Sequence, residues 1–160
     1  MTGQTSPPLQ VLFLCTGNSA RSQMAESILR SLSGGRIDVH SAGTAPRPEI
    51  HPMAVAALKK SFDHDVTGQF PKHLDRYIGQ HFDYVITVCD RAGETCPVFP
   101  GDPTRIHWSF PDPAEAEGTE AERQHAFDSV AMDIAGRLRL WLALPEIRER
   151  IEAPSARGPR

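Results

Sequence analysis

Cysteine is scarce in this chain, three among 160 residues, and an odd number cannot close into a disulfide framework. Thiols so few and so placed suit chemistry in a reducing compartment. Long apolar runs are missing as well. Even the longest unbroken one, Met53 to Leu58, falls far short of the roughly 20 residues a spanning helix needs. The opening residues are largely polar and carry Pro7 and Pro8, so neither a membrane span nor a secretory leader is expected, and the protein is expected to be cytoplasmic. An excess of positive charge is absent too. Lys and Arg number 17 against 20 Asp and Glu, a net charge of -3 with the basic residues scattered, which argues against nucleic-acid or membrane-surface binding. There is no internal repeat. A chain of this length reads as one domain that buries about two thirds of its unfolded surface, so no disulfide or metal staple is required.

What is present is organised around VLFLCTGNSARSQMAE, Val11 to Glu26. An apolar run ends at Cys15, a polar loop holds Gly17 and Asn18, and Arg21 opens a segment whose apolar residues recur at helical spacing. A strand, a loop and a helix in that order turn several backbone N–H groups towards one point, with the positive end of the helix dipole behind them. That is a nest for a tetrahedral oxyanion. Cys15 falls at the floor of the nest, and Arg21 offers a planar pair of donors. Ser22 can donate to the sulfur. The positive field favours thiolate, and cysteines so placed titrate at roughly 3.5 to 7.5 instead of about 8.5. Cys15 therefore reads as a nucleophile, against the blander reading of a buried structural cysteine.

Residues 1–9 read as a mobile tail, 10–144 as one catalytic α/β domain and 145–160 as a C-terminal tail. Strands are expected at Gln10–Leu14, Ile37–Ala42, Tyr84–Val88 and Arg105–Trp108. Helices are expected at Ser22–Leu32, His51–Phe62 and Thr119–Leu144, with one further turn at Lys72–Tyr77. The first helix should bury Met24, Ala25, Ile28, Leu29 and Leu32. The second should bury Val55, Leu58 and Phe62, and the long one Phe127, Val130, Ile134, Leu138 and Trp141. Cys89 to Pro103 carries two glycines and three prolines and reads as a loop. Alternating strands and helices imply an open four-stranded parallel sheet with helices on both faces, wound as in flavodoxin.

Active sites in such sheets lie at the carboxyl ends of the strands. Cys15, Cys89 and Asp112 each follow a strand there, so one rim gathers three reactive groups. Cys89 and Cys96, seven residues apart, read as a redox pair. The alternative, a metal site with His107, does not match the short Cys-x-x-Cys spacing of zinc chelators. Asp112 reads as a general acid, or more plainly as the cap of a turn at Asp112-Pro113. His51, His64, His73 and His81 lie in polar stretches and receive no role.

The segments CTGNSARS (Cys15–Ser22), SAG (Ser41–Gly43), VCDRAGETCP (Val88–Pro97), HW (His107–Trp108) and DP (Asp112–Pro113) together resemble the thioredoxin-coupled arsenate reductases, which share the low-molecular-weight protein tyrosine phosphatase fold. The likeness runs from about Leu9 to Leu144, and the Cys89/Cys96 pair is its most specific part. It implies that Thr16, Gly17, Asn18, Ser19, Ala20, Arg21 and Ser22 hold arsenate, with phosphate or sulfate competing. It also implies that Cys15 attacks arsenic, Asp112 protonates the departing oxygen, and Cys89 and then Cys96 carry a disulfide to thioredoxin, the reductant. No cofactor and no metal are implied, and a monomer is expected. Two electrons reduce arsenate, and a dithiol becoming a disulfide supplies two.

The sequence departs from the family pattern in two places. Ala20 stands where many relatives have another cysteine. Some relatives bind potassium through residues matching Asn18, Glu26 and Ser41 plus an acidic residue; here Lys72 aligns with that last position, so its ammonium is expected in place of the ion. The rival reading is a phosphotyrosine phosphatase, but tyrosine-specific members carry aromatic residues after the Asp-Pro, where this chain has Ala114 and Glu115. A noncatalytic anion sensor leaves Cys96 and Asp112 without a purpose.

Overall fold

The apolar run read from the sequence forms β1 (Leu9–Cys15), and Val11 to Leu14 within it are fully buried, as a strand covered on both faces must be. The structure, a computed structural model, describes residues 7–90 and 98–152. Three further strands, β2 (Ile37–Gly43), β3 (Tyr84–Thr87) and β4 (Thr104–His107), run parallel to β1 in the order β2-β1-β3-β4. This is the expected flavodoxin-like winding, whose order reverses at β1. It opens a crevice beyond the carboxyl end of that strand.

Side chains alternate along β1, so its two faces feed two cores. Val11 and Phe13 join the larger one, with α1 (Arg21–Leu32), α2 (Pro52–Phe62), α3 (Glu120–Leu142) and α4 (Pro145–Glu152). Leu12 and Leu14 face a smaller cluster of Ala42, Tyr77, Phe82, Val85 and Phe99. Helical elements therefore cover both faces, but unequally. The four α-helices pack against the first, and a single 3-10 turn, Leu74–Tyr77, helps to close the second.

Each helix starts where its local chemistry allows. Thr119 and Glu122 close a reciprocal capping box at α3, which satisfies two otherwise orphaned donors. The α3 stripe Phe127, Val130, Ile134, Leu138 and Trp141 is buried as expected. The inward face of α2 is turned from the expected one: Ala54, Ala57 and Leu58 are buried, with Val55 and Phe62 only partly so. Leu32 ends α1 exposed.

Both chain-end boundaries need correcting. Leu9 belongs to β1 and is 3% exposed, so the strand begins one residue inside the expected tail. At the other end Pro145 does not end regular structure. It opens α4, since proline at a first helical turn lacks only a donor that would be unpaired anyway. Ile147 of α4 is buried in the main core. Arg150 donates to the Pro7 carbonyl at 3.0 Å and lies 3.5 Å from Asp83 Oδ1, fastening α4 beside the start of β1.

Candidate active site

The loop between β1 and α1 is shaped by three residues. Asn18 adopts φ 50°, a left-handed conformation that asparagine tolerates better than most residues. Its buried amide is fully engaged: Nδ2 donates to Ser22 Oγ at 2.7 Å and Ser41 Oγ at 3.0 Å, while Oδ1 accepts from the Lys72 N–H at 2.8 Å and Gln23 Nε2 at 3.1 Å. Gly43, at the end of β2, lets the loop settle, because a Cβ there would stand 2.4 Å from the Thr16 carbonyl oxygen. Ala20 occupies the N-cap of α1, where no side chain caps the helix. An amino end left uncapped in this way favours an anion.

Cys15 is 3% exposed at the base of this loop. Its sulfur lies 2.8 Å from Ser22 Oγ and accepts the Asn18 N–H at 3.1 Å. Burial pushes the thiol above its ordinary pKa, against the downward pull of the Ser22 hydroxyl, the Asn18 N–H and the Arg21 guanidinium. That net direction is opposite to the depression expected from the sequence. The stabilising groups are those foreseen, but loss of water around the sulfur outweighs them.

A cavity of about 660 Å³ opens above the sulfur. Its walls include Cys15 and Thr16 to Arg21 from the loop, Arg47 and His51 ahead of α2, and Asp112 and Ala114 beyond β4. Ser22, expected among the substrate contacts, does not line it and sits behind Cys15 instead. Arg21, buried, donates from Nη1 to the Phe110 carbonyl at 3.0 Å, and its Nη2 lies 3.7 Å from Asp112 Oδ2. Asp112 is a turn cap whose side chain also faces the cavity. One carboxylate oxygen caps the 3-10 turn Pro113–Glu115 by accepting from the Ala114 N–H at 3.0 Å, while the side chain, 26% exposed, lines the cavity.

Cys89 lies on the same rim but outside this cavity. It follows β3, whose Thr87 pairs with Leu14 next to Cys15, and it is fully buried. Neither Cys15 nor Cys89 is in a disulfide. Cys96 falls in 91–97, outside the described residues.

Behind the loop, the Ser41 hydroxyl donates to Glu26 Oε1 at 2.5 Å, and Lys72 Nζ lies 3.7 Å from the same oxygen while donating to the Phe70 carbonyl at 2.8 Å. Lys72 thus meets Asn18 through its backbone N–H and Glu26 through its ammonium, with burial lowering its pKa and Glu26 opposing that shift.

Sequence reasoning missed Arg47 and His51. Arg47 donates its N–H to the Gly17 carbonyl at 2.9 Å, and its side chain passes over that glycine. His51 is half-buried and stacked on Phe127, not set in a polar surface stretch. The one available signal was His51-Pro52, a capping side chain followed by proline at a helix start.

Residues 10–152 match the model of the low molecular weight phosphotyrosine protein phosphatase family. An arsenate reductase of Oceanobacillus iheyensis is 40% identical over 131 residues, 82% of this chain and 93% of that one. An arsenate reductase of Bacillus subtilis is 40% identical over 129 residues, 81% of this chain and 91% of that one. Among solved structures, a thioredoxin-dependent arsenate reductase of Corynebacterium glutamicum superposes with a TM-score of 0.66 at 33% identity, covering 90% of this chain but only 64% of that longer one.

Proposed function

This chain belongs to the low molecular weight phosphotyrosine protein phosphatase family, and we propose that within it the protein is an arsenate reductase regenerated by thioredoxin. The observation that carries this reading is a second thiol, Cys89, at the end of the strand next to that of the nucleophile. Ester hydrolysis has no use for it. The cavity mouth agrees, since Arg47 and Ala114 line it and no Phe, Tyr or Trp does so among the described residues.

Cys15 enters the cycle as a buried thiol. A hydrogen arsenate dianion arriving over the loop amides and Arg21 takes its proton, which leaves a thiolate facing a monoanion. The thiolate attacks arsenic, Asp112 protonates the opposite oxygen, and water departs, leaving a Cys15–arsenic(V) adduct. The Cys89 thiolate then attacks the Cys15 sulfur. A sulfur–sulfur bond forms, the sulfur–arsenic bond breaks, and its electron pair stays on arsenic, which leaves as arsenite. Attack of Cys96 on Cys89 frees Cys15 and moves the disulfide to the Cys89–Cys96 pair, which thioredoxin reduces.

The test is arsenate-dependent NADPH oxidation in the presence of thioredoxin and its reductase, beside a glutaredoxin and glutathione control. Turnover only with the thioredoxin pair is expected; phosphotyrosine-peptide hydrolysis without any arsenate reduction would assign the site to the phosphatase reaction.

A further inference from the structure

Resting on the arsenate-reductase reading, we propose that His51 is a substrate-positioning residue that favours unesterified oxyanions, its imidazole donating from Nε2 to the outward oxygen of the bound anion, the one Asp112 protonates.

Three contacts fix the ring. The His51 backbone N–H donates to the Ser19 carbonyl at 2.8 Å, tying it to the oxyanion loop. Its Nδ1 accepts the Met53 N–H at 3.1 Å, capping α2. Its face stacks on the fully buried Phe127, with ring centroids 4.5 Å apart and planes at 33°. An Nδ1 that accepts carries no proton, so the neutral ring holds its proton on Nε2. No protein group described here takes that proton, and the ring lines the cavity.

The surroundings keep the imidazole neutral. Burial lowers its pKa most; Arg123 from α3 and Arg47 from the preceding loop lower it further, and only Asp112 opposes them. Arg21 and Glu49 are the other charged groups of this cavity. A second proton would also have to go to Nδ1 and break the α2 cap. His51 is thus a preset neutral donor that costs no reorganisation when substrate arrives.

Depth locates its target. Cys15, 3% exposed, lies at the floor, and Asp112, 26% exposed, nearer the mouth. An in-line attack by the sulfur points the departing oxygen outward, towards Asp112 and His51. On arsenate that oxygen has lone pairs for both donors. On a phosphate ester it bears carbon, which takes the space a second donor needs. The contribution of His51 therefore falls on arsenate and not on aryl phosphates.

The test uses His51→Asn, because asparagine is itself a good cap and keeps the start of α2, with His51→Ala as the variant that loses both functions. His51→Asn should melt within a few degrees of wild type and lose about tenfold in kcat/KM for arsenate. Its hydrolysis of p-nitrophenyl phosphate should change less than twofold. In wild-type protein, nitrogen NMR should find the Nε2–H tautomer and a shift of that resonance when inorganic phosphate is added. Equal loss on both substrates, no loss on arsenate, an Nδ1–H tautomer or an unmoved resonance each overturns the role of His51. A wild type that hydrolyses the ester yet never reduces arsenate overturns the functional reading beneath it instead.

Discussion

Asn18 Nδ2 donates to Ser22 Oγ at 2.7 Å, and the same hydroxyl oxygen lies 2.8 Å from Cys15 Sγ. The carboxamide of one loop residue thereby holds in place the hydroxyl that stands against the Cys15 sulfur. A further link ties Asn18 to Ser41 and through it to Glu26.

Removing the Ser22 hydroxyl should make Cys15 less acidic. Ser22 pulls the thiol pKa down against burial, so Ser22→Ala shifts the titration upward and leaves less thiolate at any given pH. The rate of iodoacetamide alkylation of Cys15 against pH measures this. The variant's midpoint should lie above the wild-type midpoint, and phosphate should protect both proteins. A midpoint that falls or stays put would mean the hydroxyl does not donate to the sulfur.

Gly43→Ala should damage the oxyanion loop from a distance. The added methyl would stand 2.4 Å from the Thr16 carbonyl oxygen, so backbone must move, at a cost of about 1 to 3 kcal/mol. A melting temperature lower by several degrees is expected, together with weaker phosphate protection of Cys15. Wild-type protection in Gly43→Ala would show that the loop is positioned without this close approach.

Lys72 should make potassium irrelevant. Its ammonium lies 3.7 Å from Glu26 Oε1, the oxygen that accepts from the Ser41 hydroxyl, so exchanging potassium for sodium should leave wild-type melting temperature and turnover unchanged. Lys72→Asp places a second carboxylate beside Glu26, and that variant should be stabilised by potassium over sodium. A wild-type protein strongly activated by potassium would refute the substitution of ammonium for ion.

The relay predicts two distinct arrests. Cys96→Ser should release about one arsenite per enzyme and stop as a Cys15–Cys89 disulfide, because the thiol that frees Cys15 is gone. Cys89→Ser should stop earlier, at the arsenic adduct, with no arsenite released. Peptide mapping after blocking free thiols distinguishes the two states. Sustained thioredoxin-coupled turnover by Cys96→Ser would require an external thiol in place of the third cysteine.

The sheet was legible because its signals are local. The Val11–Cys15 run and the β-branched Tyr84–Thr87 each read as strands without reference to anything distant. The loop after Cys15 was legible as a strand-to-helix connection because a Cys, a Gly and an Arg stand at fixed spacing between an apolar run and a helical pattern. What stayed hidden depends on long-range packing. No local signal near Asn18 announces that Ser41 and Lys72 will meet its amide, and only the family resemblance brought them together; nothing near Cys15 says that burial will exceed the pull of its donors. Pro145 misled because proline marks helix starts as well as stops, and only the burial of Ile147 decides between them. His51 misled because its neighbours in sequence are polar, whereas its neighbour in space is Phe127.

The Arg150 clasp on Pro7 and Asp83 governs how the molecule can be handled. It brings both ends of the described chain to the amino edge of the sheet, while Cys15 and its cavity occupy the carboxyl edge. The seven residues of β1, at roughly 3.3 Å each, hold those edges about 20 Å apart. A fluorescent label or a surface linkage placed beside Pro7 or Arg150 therefore stands on the side opposite the cavity, and protein held there presents the cavity mouth to solution.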